Sequence, residues 1–180
     1  MIYLIIIMTI VFIYTILTRN SFVQLNNTVN EAFATMDVYL KKRWDLIPNI
    51  VDVVKGYTEY EKTTLEDLTK LRTLSYSDIS VSDKININEN LTQNLSKLLM
   101  LSENYPDLKA NENFLDLSNK LIQVENDIAN ARKYYNAVIR NYNNKVQMIP
   151  NNIIALIFGY KEKKMFEVPS NEKENVNINL

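Results

Sequence analysis

The chain has 180 residues, a formal net charge of -1, two Gly, four Pro, no Cys and no His. The absence of Cys excludes disulfides, thiol catalysis and lipoprotein acylation, and the absence of His excludes imidazole acid–base chemistry and zinc sites with His ligands. The scarcity of Gly argues against a β-rich fold and against phosphate-binding loops, and the balanced charge provides no net field for recruiting nucleic acid.

The first apolar run covers residues 2–17, where Thr9 and Thr15 are the only clearly polar side chains. It is somewhat shorter than the ~20 residues that span a hydrocarbon core, a difference that local bilayer thinning can absorb. A cleaved signal peptide is the main alternative, but the run lacks a preceding basic residue and a small-x-small cleavage site. A buried core strand would be much shorter. The sequence therefore predicts a transmembrane anchor at residues 1–19, contacting the membrane through residues 2–18.

Basic residues follow this run and do not precede it. Arg19 lies directly after it, and Lys41, Lys42 and Arg43 lie further along the chain. Under the positive-inside rule, the N-terminus would be outside and the main domain on the cytoplasmic side.

A first helix is predicted from Phe22, continuous with the anchor. Its seam residues are Phe22, Leu25, Val29, Ala32, Met36 and Tyr39. Lys41, Lys42 and Arg43 suit the negative end of a helix dipole, and Asp45 would cap the next helix with Pro48 in its first turn. Residues 43–49 therefore predict a tight corner between antiparallel helices.

Two further helices are predicted after this corner. The second would cover Leu46–Leu74, with Gly56 inside it at a cost of ~1 kcal/mol, which indicates close approach of a neighbour. Residues 75–90 indicate a surface loop. A third helix is predicted at about Glu89–Asn104, because Pro106 disfavours helical geometry at the preceding residue. Its inward-facing residues would be Leu91, Leu95, Leu98, Leu99 and Tyr105.

The longest periodic stretch runs from Asn111 to Ile149. Its seam positions are separated by alternating steps of three and four, with Lys145 as an interruption, and this pattern requires partner helices. They are Phe114, Leu117, Leu121, Val124, Ile128, Ala131, Tyr135, Val138, Tyr142 and Ile149. Short connections then predict an all-α, antiparallel, up-and-down four-helix bundle at residues 20–150.

A different pattern follows the bundle. Residues 151–168 hold an apolar segment followed by lysines, which either caps the open end of the bundle or contacts the membrane interface. Residues 169–180 are predicted to be a disordered polar tail.

Several motifs occur in order over almost the whole chain, at residues 43–49, 55–57 and 103–114 and in the helix around Glu125 and Tyr142. Together they resemble the LemA family. The resemblance implies a membrane-anchored bacterial protein with a four-helix bundle, and no established catalytic residues. The residues that carry it are Arg43, Asp45, Leu46, Ile47, Pro48, Asn49, Gly56, Tyr57, Glu61, Tyr105, Pro106, Glu125, Arg132, Tyr135 and Asn136.

The chain also departs from the family pattern. It has no basic residues before the apolar run, Trp44 fills a position that is often smaller or polar, and Ile149-Pro150 replaces Phe-Pro.

The carboxylates provide the best enzymatic hypothesis. They are Glu59, Glu61, Glu66, Asp67, Glu125 and Asp127. Di-iron bundles place Glu-x-x-His on such helices, and this chain has no His. We therefore predict no catalytic residue, cofactor or metal site, and expect Arg43–Asp45 or Arg132–Glu125 pairs to be structural. A buried pair at Arg132 could fix the helix register.

Tyrosine suits interfaces because it combines apolar area with one polar group. Tyr57, Tyr105, Tyr135 and Tyr142 fall at core positions, whereas the candidate interaction surface comprises Lys41, Lys42, Tyr60 and Tyr134. The predicted function is a non-enzymatic platform for an unidentified protein partner. The alternative is a sensor or regulator of envelope state that responds to the bilayer. No nucleic-acid partner is predicted, and the pattern leaves the oligomeric state open.

Overall fold

A computed structural model of the chain describes residues 1–57, 76 and 79–166. All regular secondary structure in these ranges is helical, which confirms the all-α class. The α-helices are α1 (Ile2–Lys55), α2 (Val81–Leu101), α3 (Pro106–Lys109), α4 (Glu112–Gln147) and α5 (Asn151–Phe158), and a 3-10 turn covers Ser102–Asn104. Within the described ranges, α1 alone is long and apolar enough to cross a membrane, by length and composition.

Helix α1 continues through the predicted corner. The prediction of a turn at residues 43–49 is wrong, as is the prediction that Asp45 caps a new helix, because both lie inside α1. Pro48 lacks an N–H and costs a helix interior ~3 kcal/mol. Burial of one face offsets this cost, since Ile47, Ile50 and Val54 are in the core on both sides of Pro48. Gly56 consequently follows the end of α1 instead of lying within a helix.

Helix α2 begins earlier than the sequence pattern predicted. Its first residue is Val81, so the assignment of residues 81–90 to a loop is wrong. The Ser80 hydroxyl accepts a hydrogen bond from the Asp83 backbone N–H at 3.2 Å, and it donates to the Asp83 carboxylate at 2.6 Å. This N-cap satisfies a backbone donor that would otherwise lack a partner, and it fixes where the helix starts.

Helix α4 carries the predicted seam. Its positions are buried from Phe114 to Tyr142, apart from the half-buried Leu117. Ile149 is an exception, because it lies beyond the helix end and is exposed. The seam is therefore confirmed over α4 itself and does not extend past it.

The chain forms two compact units, and α1 and α4 contribute residues to both. Unit 1 comprises Met1–Met36 with Asn130–Phe166, and unit 2 contains Asp37–Ala129. The predicted segment boundaries at residues 19, 150 and 168 stay predictions. The predicted second helix beyond residue 57 and the predicted tail at 169–180 lie outside the described residues.

Aromatic contacts hold α1 against α4 and the C-terminal segment in unit 1. The ring of Phe22 stacks on Tyr160 with centroids 4.7 Å apart and meets Tyr142 edge-on at 6.3 Å. Further along α1, Phe33 meets Tyr135 at 5.9 Å. Rising numbers on α1 pair with falling numbers on α4, so the two helices run antiparallel in this unit.

Two asparagines of α4 fasten the chain that follows α5. The Asn136 side chain accepts from the Phe166 N–H and donates to the Phe166 carbonyl, both at 2.8 Å. Asn143 makes the same paired contact with the backbone of Lys163, at 2.9 and 2.8 Å. An amide side chain can satisfy both groups of one residue in this way, so the segment is held with Phe166 buried.

The core of unit 2 is built by α1, α2, α3 and the N-terminal part of α4. Its buried members are Ile47, Ile50, Val51, Val54, Leu91, Leu95, Leu98, Leu108, Phe114 and Leu121. Three of the predicted inward-facing residues of the third helix are among them. Leu99 and Tyr105 pack against this core while remaining partly exposed.

A buried arginine cluster as the candidate functional site

Arg43 is the most deeply buried charged side chain among the described residues. It lies in the α1 stripe between Leu40 and Ile47, and only 1% of its surface is exposed. A guanidinium remains charged at any ordinary pH, and a buried charge requires partners. Its position predicts that neighbouring helices supply acceptors.

Helices α2 and α4 supply these acceptors. Arg43 Nη1 donates to Thr92 Oγ1 at 2.9 Å and to Glu125 Oε1 at 2.7 Å. Nη2 donates to the Asn88 carbonyl at 3.2 Å and also to the Asn88 side-chain oxygen. Thr92 in turn donates to the Asn88 carbonyl at 3.2 Å. One side chain thus joins three helices of unit 2.

The two side chains of the ion pair in this cluster differ in their exposure to solvent. The Arg43 side chain is buried, whereas 34% of the Glu125 side chain is exposed. Water can therefore reach the carboxylate but not the guanidinium, and Arg43 Nε has no hydrogen-bond partner in the structure. Loss of Glu125 would leave a buried cation with only neutral acceptors, which is destabilising.

A second polar cluster lies beside the first. Lys84 Nζ contacts both carboxylate oxygens of Asp37 at 3.0 Å, and the Tyr76 hydroxyl donates to Asp37 at 2.6 Å. The Tyr76 ring lies 5.7 Å from Trp44 and receives the Lys84 ammonium at 4.2 Å. Burial first, and then the hydrogen bond to Asp37, raise the pKa of Tyr76 well above its ordinary range.

These side chains line a small cleft that is partly open to solvent. Arg43, Trp44, Tyr76, Lys84 and Asn88 contribute to its walls. Arg43, Tyr76, Lys84 and Asn88 each form a hydrogen bond with another side chain of unit 2. The Arg43 bonds join α1 to α2 and α4. The described ranges contain no group of three carboxylates that could hold a metal ion.

The structure corrects the predicted pairing of Arg43. Arg43 pairs with Glu125 on another helix and not with Asp45, which instead pairs with Lys41 one turn away. Arg43 is also not a helix-end cation, because α1 continues for twelve residues beyond it. Tyr57 is a further correction: it is exposed, and its hydroxyl accepts from Asn111 at 2.8 Å.

The candidate interaction surface divides between the units. Lys41 and Lys42 are exposed in unit 2, and Tyr134 is 53% exposed in unit 1. Tyr60 and Glu61 lie outside the described residues. Tyr135 is buried and Arg132 half-buried. The interaction role of Lys41, Lys42, Tyr60 and Tyr134 stays a prediction.

Sequence reasoning misses Asn88, which lies in the predicted loop, and Thr92, which lies in the predicted third helix. A signal was present: Asn88 and Thr92 are four residues apart, so they share one helix face with Leu91 and Leu95 nearby. Their partner could not be inferred without knowing which helix packs against that face.

The chain matches one protein family and is similar to three known proteins. A sequence model of the LemA family matches residues 32–180. The chain is 23% identical over 159 residues to "Protein LemA" of Metamycoplasma hominis, which covers 88% of this chain and 73% of that protein. It is 30% identical over 73 residues to the magnetosome proteins MamQ 2 and MamQ 1 of Paramagnetospirillum magneticum, covering 41% of this chain and 27% of each of those proteins.

Proposed function

The chain belongs to the LemA family, and from this premise we propose that it is a single-pass membrane protein whose helical part serves as a non-enzymatic platform for another protein. The observation that carries the proposal is the exposure of the N-terminal part of α1. Its large apolar side chains are exposed from Ile2 to Leu17. A helix that is apolar on all sides requires an apolar environment, and a bilayer provides one.

The pairing of Arg43 with Glu125 supports a structural role for these two residues of the family motif. Arg43 and Glu125 bond to each other, and Asn88 and Thr92 accept further hydrogen bonds from the two terminal nitrogens of the guanidinium. Contact with a partner would then depend on exposed groups. Tyr134 is the clearest of these in unit 1, because tyrosine offers apolar area and a hydroxyl at low entropic cost.

We place the helical part on the cytoplasmic side, on the basis of Arg19 and the basic residues after it. Since the chain has no Cys, a single Met100→Cys substitution provides one labelling site, and the Met100 side chain is exposed on α2. We expect protection from a membrane-impermeant maleimide in intact cells and labelling after lysis. Labelling of intact cells would refute the cytoplasmic assignment, and label in the soluble fraction would refute the anchor.

The platform is tested with a photo-crosslinking amino acid at position 134 in intact membranes. The matched control is position 140 on the same helix, where Arg140 is also exposed. We expect a discrete protein adduct from position 134 that is absent from position 140. The same diffuse adducts from both positions, or none from either, would contradict the platform.

One observation favours the alternative, a sensor of the bilayer. In unit 1 the Tyr14 hydroxyl donates to Asn151 of α5 at 2.6 Å, so the apolar part of α1 is bonded to a second helix. A sensor requires this α1–α5 separation to change with lipid composition. Spin labels on the two helices, compared in thin and thick bilayers, measure it, and an unchanged distance would exclude this alternative.

A further inference from the structure

Helix α5 has one face packed against protein and an opposite face of equally apolar character that is exposed. We propose that this exposed face of α5 lies in the headgroup region of the bilayer, as an interfacial membrane contact beside the α1 span. The inference rests on the proposed anchor and goes beyond it, because it assigns a second lipid-binding element to a different part of the chain.

The two faces follow from the helical repeat of ~100° per residue. Ile154 and Ala155 are buried on one side. Ile153, Leu156 and Ile157 fall within about 100° of each other on the opposite side, and 83% of Leu156 is exposed. Three large apolar side chains in water on an eight-residue helix are costly, at ~25 cal/mol per Å² of apolar surface. The face therefore requires an apolar occupant.

Two contacts in unit 1 identify the bilayer as this occupant. The hydrogen bond from Tyr14 to Asn151 holds the start of α5 near the end of the apolar run. The Arg19 guanidinium lies 5.5 Å from the ring centre of Phe158, at the other end of α5. Tyr14 is three residues, ~5 Å along the helix, before Leu17. An interfacial helix buries its apolar face ~5–10 Å into the headgroup boundary, which matches this level.

The charges near α5 also fit a lipid surface. Lys161 and Lys164 are exposed directly after the helix, and Arg19 adds a third cation, whereas Glu162 is the one acid between residues 159 and 166. Basic side chains beside an apolar face favour anionic headgroups, each contributing ~1 kcal/mol near a charged surface.

The short span gives the contact a physical role. Sixteen residues at ~1.5 Å each cover ~24 Å, less than the ~30 Å of a typical hydrocarbon core. A short span is accommodated by thinning of the bilayer around it, and an interfacial helix next to the span occupies the region where the lipids must rearrange.

The test uses the full chain in vesicles of zwitterionic and anionic lipid, with one fluorophore on a single cysteine. Leu156→Cys reports the exposed face of α5, Ile10→Cys reports the span, and Met100→Cys is the matched control, since Met100 is 72% exposed on α2. Each variant is exposed to shallow and deep nitroxide lipids and to aqueous dithionite. All three side chains are exposed, so none of the substitutions removes core packing.

We expect the label at position 156 to lose most of its fluorescence to shallow nitroxide lipids and little to dithionite, and the label at position 100 to behave in the opposite way. If position 10 is quenched by deep nitroxides while position 156 responds like position 100, the α5 inference is overturned and the anchor stands. Protection of position 156 from dithionite without lipid quenching means that protein covers the face, which also overturns the inference. An unquenched position 10 overturns both.

Discussion

Substituting Glu125 with Ala should destabilise the folded protein far more than removing an equally short ion pair elsewhere on the same helix. The substitution removes the charged acceptor of the Arg43–Glu125 hydrogen bond at 2.7 Å and leaves a guanidinium that is 1% exposed. Asp116 also forms an ion pair at 2.7 Å, with Lys120, but both side chains of that pair are more than half exposed. The pair distances are equal, so burial is the difference between the two variants.

The magnitude follows from this difference. Loss of a hydrogen bond to a charged group costs about 1.5–3 kcal/mol. The 3–5 kcal/mol expected for a fully buried pair is an upper limit, because the partly exposed position of Glu125 lets water reach the guanidinium once the carboxylate is gone. An exposed i,i+4 pair contributes about 0.3–0.5 kcal/mol. In a protein of this length, we therefore expect Tm to fall by about 3–12 °C for Glu125→Ala and by less than about 2 °C for Asp116→Ala.

The assay is urea and thermal unfolding of the full chain in mild detergent, followed by helical circular dichroism. The double variant Arg43→Met/Glu125→Ala should be destabilised by less than the sum of the two single variants, because the uncompensated cation is then absent. Equal destabilisation by Glu125→Ala and Asp116→Ala, or additive single effects, would refute the reasoning about the buried pair.

Three further outcomes are expected. Pro48→Ala should raise the free energy of unfolding by about 1–3 kcal/mol, because it restores a helix donor; a loss of stability in the same urea assay would favour a corner at this position. Tyr76→Phe should reduce the loss of folding stability above pH 10. Folding raises the pKa of Tyr76, so the stabilisation that this tyrosine provides is complete below about pH 10 and is lost at higher pH. The same dependence of the free energy of unfolding on pH between 8 and 11 in both proteins would contradict this. Asn136→Ala should speed hydrogen exchange at the Phe166 amide, whereas the exposed Asn144→Ala should not, and equal exchange rates in both variants would disprove the fastening role.

The sequence predicted the seam of α4 well because each step depends only on the helical repeat. Phe114, Val124 and Tyr142 are buried, as expected for seam positions that are separated by alternating steps of three and four residues. The same helical repeat also indicates that α1 continues through the predicted corner. Its buried positions continue through Leu40 and Ile47 without a change of phase, and Arg43 occupies the position between them.

The corner predicted at residues 43–49 is wrong because its local end signals conflict with the phase of the buried positions in α1. Three cations followed by Asp45 and Pro48 are typical of a helix end and a new start. The buried face of α1 outweighs them. Burial of Arg43 could be read from its phase, but Asn88, Thr92 and Glu125 could not be identified as its partners, because that depends on which helices adjoin α1 in three dimensions.

The unbroken course of α1 within unit 1 has a mechanical consequence. Residues 2–36 form one helix, so no linker separates the apolar segment from the part of unit 1 that packs against α4. A regular helix bends only gently over such a length and offers no swivel. Within a bilayer, any tilt of the apolar segment would turn the rest of unit 1 by the same angle, and its height above the lipid would be fixed. A partner that binds unit 1 would thus find its binding surface in a fixed orientation and at a fixed distance from the membrane.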